Sequence, residues 1–135
     1  MTTISTINPA TEQEIQNYIL MTEQEATGRI EACHAGFQEW RKLTHHERAP
    51  YLTNIGQTLR EHADELAALM TAETGKLLKD GHTEVEICAA ICDYTAQYGP
   101  EVLADEDRTH GADQKRGGVS YQPIGVIYSS QPWNF

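Results

Sequence analysis

Cationic side chains are scarce in this chain. Ten Lys plus Arg stand against twenty Asp plus Glu in 135 residues, a formal charge of −10. A polyanion such as DNA, or an acidic membrane face, meets net repulsion from such a surface, so nucleic acid and membrane are not expected partners. No run approaches the roughly 18 apolar residues of a membrane span. The first eight residues have neither the basic stretch nor the apolar stretch of an export signal, and the expected compartment is the cytoplasm. Cysteine is sparse as well. Cys33, Cys88 and Cys92 form an odd set at spacings that match no disulfide framework, which predicts free thiols in a reducing environment. Internal repeats and low-complexity tracts are also missing. What remains, 39% hydrophobic and 22% charged residues, is a globular composition, and the length suits one modest domain.

The order of local patterns predicts a mixed α/β fold. Residues 4–7 and 14–21 flank the turn-forming Asn8-Pro9-Ala10-Thr11, so residues 1–21 are expected to form an N-terminal β-hairpin. Three amphipathic helices are expected over residues 22–100. The first opens with the capping box Thr22-Glu23-Gln24-Glu25 and carries Ala26, Ile30, Cys33, Phe37 and Trp40 at helical spacing, a pattern that predicts one buried stripe. The second opens with Thr44-His45-His46-Glu47, carries Leu52, Ile55, Leu59, Leu66 and Leu69, and stops at Gly75. The third, residues 77–98, carries Val85, Cys88, Ile91, Cys92 and Thr95 on one side, with Gly81 as a possible break in its first turn and Gly99-Pro100 as its end. A polar connector follows to Gly118. Residues 119–122 and 125–128, divided by Pro123, read as two strands or one bent strand, the second of core type.

Read in order, the pieces Ile7-Asn8-Pro9-Ala10-Thr11, Gly36-Phe37-Gln38-Glu39-Trp40-Arg41, Arg48, Glu73-Thr74-Gly75-Lys76, Glu84-Val85-Glu86, Cys92-Asp93-Tyr94, Gly99-Pro100, Tyr121-Gln122-Pro123-Ile124-Gly125-Val126-Ile127 and Pro132-Trp133-Asn134-Phe135 make a pattern. The chain resembles the NAD(P)-dependent aldehyde dehydrogenases, most closely their succinate-semialdehyde dehydrogenase branch. Each piece alone is weak, but their common order and spacing are specific. The resemblance covers only the N-terminal quarter or so of such enzymes. It implies an incomplete portion of an aldehyde-dehydrogenase-like fold over residues 1–135, with residues 119–135 holding the strands and the start of a cofactor site.

The resemblance further implies NAD or NADP as cofactor, a small aldehyde as substrate, and a homo-oligomer whose contacts use the hairpin. It places Ser130, Gln131, Pro132, Trp133 and Asn134 along the cofactor and makes the Asn134 carboxamide the donor to the oxyanion of a hemithioacetal. A neutral, preorganised amide donor suits that role because it stabilises developing negative charge without a competing proton. By the residues alone, Trp133 and Asn134 read as turn residues after a strand. The nucleophilic Cys and general-base Glu segments of the family lie outside the pattern matched here, so the chain by itself is expected to be inactive. The sequence departs from the family at Glu12-Gln13-Glu14, where Gly-Glu is usual, and at Ser129, Ser130 and Gln131, where apolar residues are usual. A non-catalytic interaction module that pairs with a full-length relative or with itself is the competing expectation, because a core strand at 125–128 has no sheet of its own to join.

No metal site is expected. Cys88 and Cys92 share a helix face, but His82 lies off that face, and core thiols are the better reading. His45 and His46 are adjacent and diverge by about 100° on a helix. The acidic clusters at Glu12, Glu14, Glu23 and Glu25, and at Asp105, Glu106 and Asp107, read as solvated surfaces.

Overall fold

The computed structural model describes residues 2–108 and 117–130. The hairpin forms as expected. Strand β1 (Thr3–Ile7) pairs antiparallel with β2 (Glu14–Ile19), Ile4 opposite Tyr18 and Thr6 opposite Gln16, with a bulge between Thr6 and Ile7. The Asn8 carboxamide oxygen accepts from the backbone N–H groups of Ala10 at 2.9 Å and Thr11 at 3.2 Å. That local hydrogen bonding is what Asn contributes to a turn. Glu12 closes the turn in the left-handed region, φ 59°.

Among the described residues four helices follow where three are expected. Helix α1 (Glu23–Trp40) and helix α2 (His45–Glu61) begin at the expected boxes: Glu25 and Glu47 donate their backbone N–H groups to the Thr22 and Thr44 hydroxyls, and their carboxylates accept from the Thr backbone N–H groups at 2.8 and 2.7 Å. The expected second helix is divided at His62, which is not helical, so that α3 (Ala63–Thr74) follows α2 as a separate element. The apolar spacing runs through this one-residue break and so hides it. Gly75, at φ 74°, ends α3 as expected, its N–H donating to the Thr71 carbonyl.

Helix α4 (Leu78–Val102) runs through Gly99-Pro100 instead of ending before it. Proline removes only its own N–H bond, and Pro100 is buried while Leu103 still donates to the Gly99 carbonyl. Nor does Gly81 interrupt α4. It is buried against α3, where a Cβ would stand 3.0 Å from Ala67 Cα. Gly56 plays the same part for α2, since a Cβ there would meet the Ala89 carbonyl at 3.1 Å. Two glycines therefore let α2 and α3 press closely on α4.

The core lies at these crossings: Ala67 and Met70 from α3, with Val85 and Ala89 from α4. The buried residues of α4 are thus Gly81, Glu84, Val85, Ala89 and Pro100, of which only Val85 belongs to the expected face. Cys88 and Ile91 are exposed and Cys92 is half-buried, so the expectation of two core thiols fails: the buried face of α4 runs through Gly81, Val85 and Ala89 instead. All three cysteines are free. The expected buried stripe of α1 is absent too. No residue of α1 is buried, and Ile30 stays 62% exposed, because among the described residues no layer lies over that face.

Beyond α4, β3 (Glu106–Asp107) pairs antiparallel with β4 (Gly118–Val119) in a two-residue ladder. Residues 120–130 form no strand, which corrects the expectation of a core strand at 125–128. A strand needs a neighbour to satisfy its backbone groups, and among the described residues none is paired with this segment. Among the described residues, no helix is long and apolar enough to cross a membrane.

The caps make stability depend on acid. Hydrogen bonds from the backbone and then the hydroxyl of Thr22 and Thr44 lower the pKa values of Glu25 and Glu47, and hydrogen bonds from Arg60 lower that of Glu86. Groups whose folded pKa is depressed stabilise the fold above their unfolded value, about 4.3 for glutamate. That stabilisation is lost as pH falls through the lower folded values. The urea midpoint followed by helical circular dichroism is expected to fall below pH 4.3 (approximate unfolded value), and Glu25→Gln/Glu47→Gln to flatten that fall. An unchanged slope in the double variant would contradict the assignment to the caps.

Candidate functional site

The expected site begins where residues 120–130 leave β4. Gly125 has φ +123°, a conformation closed to residues with a side chain, and a Cβ there would stand 3.9 Å from Phe37 Cε1 of α1. The positive φ, not space beside the Phe37 ring, is what calls for glycine here. Around that point the end of α1 is braced by cations and rings. The Arg41 guanidinium lies 5.4 Å from the Phe37 centroid, Arg48 lies 5.8 Å from the Trp40 centroid, and Trp40 meets Tyr51 edge-on at 5.0 Å. Arg48 also donates from Nη2 to the Leu43 carbonyl at 2.8 Å, tying α2 to the chain that leaves α1. A groove of about 350 Å³ runs between these residues and the extended segment, lined among others by Arg41, His45, Arg48, Leu103, Tyr121 and Gln122.

Of the residues that the resemblance assigns to cofactor and oxyanion, Ser130 is exposed at the end of this segment. Gln131, Pro132, Trp133 and Asn134 lie outside the described residues. Do the described residues suit a dinucleotide? A pyrophosphate commonly sits at a helix N-terminus, where free backbone N–H groups and the helix dipole favour an anion. Here the Glu25 and Glu47 carboxylates already occupy that position on α1 and α2. Asp64 and Glu65 stand in the first turn of α3, and Asp80 in that of α4. Each of the four N-termini thus carries its own negative charge, and the described residues do not form a pyrophosphate site.

Other polar constellations were not legible as such. Lys76, next to the glycine that ends α3, pairs with Glu84 in the second turn of α4. Both side chains are largely shielded, at 14% and 10% accessible. The pair locks the α3–α4 corner. Arg60 on α2 reaches across to α4, with Nε donating to Glu86 at 3.0 Å and Nη2 lying 2.8 Å from Asp93, and these bonds raise the Arg60 pKa further. Lys76, Glu84, Glu86 and Asp93 stand within the family-like pieces and Arg60 does not, and their pairing depends on the helix crossing. Among the described residues, no group of three His, Cys, Asp or Glu side chains could hold a metal ion.

Comparison with known proteins gives the pattern its setting. The profile described as the aldehyde dehydrogenase family matches residues 1–135. A probable succinate-semialdehyde dehydrogenase (NADP(+)) of Synechocystis sp. is 39% identical over 132 residues, 98% of this chain and 29% of its own length. The succinate semialdehyde dehydrogenase Sad of Escherichia coli is 32% identical over 96% of this chain and 28% of its own. The chain therefore spans less than a third of these curated relatives. Among solved structures, the succinic semialdehyde dehydrogenase of Streptococcus pyogenes, in complex with NADP+, superposes with a TM-score of 0.75 at 31% identity, covering 84% of this chain and 25% of that one. The structure of Gox0499 shares the fold at a TM-score of 0.85 over 95% of this chain and 28% of its own, at 24% identity.

Proposed function

The chain belongs to the aldehyde dehydrogenase family, and from that premise we propose that it is the N-terminal portion of an NAD(P)-dependent oxidoreductase that converts an aldehyde, succinate semialdehyde first among candidates, to a carboxylate. The observation that carries this reading is the collinear match over the whole chain to relatives named for that substrate. The reaction consumes the aldehyde, water and NAD(P)+ and yields carboxylate, NAD(P)H and two protons. The nicotinamide supplies the hydride acceptor.

This portion contributes scaffold and one polar group. The hairpin presents open strand edges, α2–α4 form a packed helical layer, and the segment beside Phe37 carries the chain toward Asn134. Asn134 donates to the oxygen that becomes negative when a nucleophile adds to the aldehyde carbon. Neither the nucleophile nor the base that activates water is assigned to residues 1–135, so catalysis requires the remainder of a family domain.

A chimaera tests the reading: residues 1–135 replace the matched portion of the Synechocystis relative. NADPH formation from succinate semialdehyde is expected from the chimaera and not from the 135-residue chain alone. Steady turnover by the chain alone would overturn the division of labour. A folded chimaera that oxidises other aldehydes but leaves succinate semialdehyde untouched would overturn the substrate.

A further inference from the structure

The cysteine pair of α4 is a constellation to which the fold gives no packing role. Sequence patterning predicts that Cys88 and Cys92 are core thiols, and free cysteine is among the residue types most often buried. In the structure Cys88 is exposed, Cys92 is half-buried and neither is in a disulfide. Both lie on α4 one turn apart, which sets their Cβ atoms roughly 5–6 Å from each other on one face. The α2 residue beside Cys92 is Gly56, where a Cβ would stand 3.3 Å from Cys92 Cβ, so α2 presents no side chain to crowd that cysteine.

That separation decides the chemistry. A disulfide needs Cβ atoms about 3.5–4.5 Å apart, so the pair cannot close one without unwinding the helix. Two sulfurs at the longer separation can instead grip one ion between them. Zinc asks for three or four protein ligands, and among the described residues no third His, Cys, Asp or Glu side chain joins the pair. A donor set of two thiolates suits a soft monovalent cation, copper(I) above all. We infer that Cys88 and Cys92 form a two-coordinate copper(I) site on the face of α4. Loading moves one ion from its carrier to the two sulfurs, and each thiol releases its proton to solvent. The copper stays copper(I), so nothing is oxidised or reduced. Both donors belong to a single helix, and the site stands apart from the proposed function.

The full chain, reduced beforehand and handled without air, is titrated into the coloured copper(I) complex of bicinchoninate. Uptake of one copper per chain is expected, with the mass by light scattering unchanged. Cys88→Ser and Cys92→Ser should each weaken uptake by about 10²-fold, because the second sulfur acts at the effective concentration set by the helix. Cys33→Ser, on α1, should leave uptake unchanged. Cys88→Ser/Ala90→Cys keeps two thiols on α4 but sets them two residues apart, where side chains do not face each other, and should behave like Cys88→Ser. Helical circular dichroism of every variant should match that of the wild type, since neither cysteine belongs to the buried core. The chimaera that carries residues 1–135 in the Synechocystis relative should take up a copper that Cys88→Ser removes. No uptake, indifference to Cys88→Ser or Cys92→Ser, equal uptake by the displaced pair, a copper-bridged dimer, or a site present in the chain and lost in the chimaera would each overturn the inference.

Discussion

In the chimaera, Asn134→Ala is expected to lower kcat by about 10²–10³-fold, the effect of removing one preorganised donor to an oxyanion, or ~2.7–4 kcal/mol of transition-state stabilisation. The size follows from where the charge develops. An aldehyde oxygen carries only a partial negative charge before addition and nearly a full one after it, so an amide N–H gains most in the transition state. KM should therefore move much less than kcat. A merely structural turn residue predicts the opposite pattern, with lower thermal stability and little change in kcat once the folded fraction is corrected. Steady-state kinetics and thermal unfolding of the same preparation distinguish the two. A fall in kcat of less than about fivefold, too small for the loss of such a donor, would remove Asn134 from the oxyanion role.

The second large effect concerns the shielded ion pair at the α3–α4 corner. Lys76→Met keeps the aliphatic stem but strands the Glu84 carboxylate, whose residue is only 8% exposed. Breaking a buried pair from one side costs about 3–5 kcal/mol, because the remaining charge loses its partner but not its desolvation. With both groups slightly accessible, about 3 kcal/mol is the expected loss, at the lower end of that range. The double variant Lys76→Met/Glu84→Leu should recover most of it, since an apolar pair of similar volume is often as stable as the ion pair. Urea unfolding of the wild-type chain and the two variants gives the comparison. A single variant as stable as the wild type would show that Glu84 escapes to water. A double variant no better than the single would show that packing, not charge, sets the cost.

Capping shows how much local structure can be read directly. The exchange between Thr22 and Glu25, and between Thr44 and Glu47, involves groups three residues apart, so spacing alone locates both helix starts. The Asn8 turn and the Gly75 stop are equally local. The break at His62 is different, because both sides of it suit a helix, and the close packing of Ala67 of α3 on Gly81 of α4 is a contact far apart in sequence. The same holds for α4. Its pattern of Val, Cys, Ile and Cys suggests an apolar face that includes Ile91, yet Ile91 is 59% exposed and the closest crossings set Gly56 against Ala89 and Cys92, and Gly81 against Ala67. Hydrophobicity ranks side chains by transfer energy, whereas a close helix crossing selects them by volume.

The candidate site divides in the same way. Family-like motifs in order were enough to place the chain, and they named Asn134 and the residues before it. They did not reveal that each helix N-terminus among the described residues is already supplied with a carboxylate, which removes the usual place for a phosphate. Nor did they pair Lys76 with Glu84 or Arg60 with Glu86 and Asp93.

By itself the sequence determined this chain's family, its hairpin, its helix starts and its acidic surface, all of which depend on identity, order and short-range spacing. Only the tertiary structure decided which faces are covered. It showed that α2 and α3 each close on α4, Gly56 and Gly81 allowing the approach, while among the described residues nothing covers α1. The physical reason is that an apolar pattern states what a segment can bury, and burial itself requires a second surface brought to it by the fold.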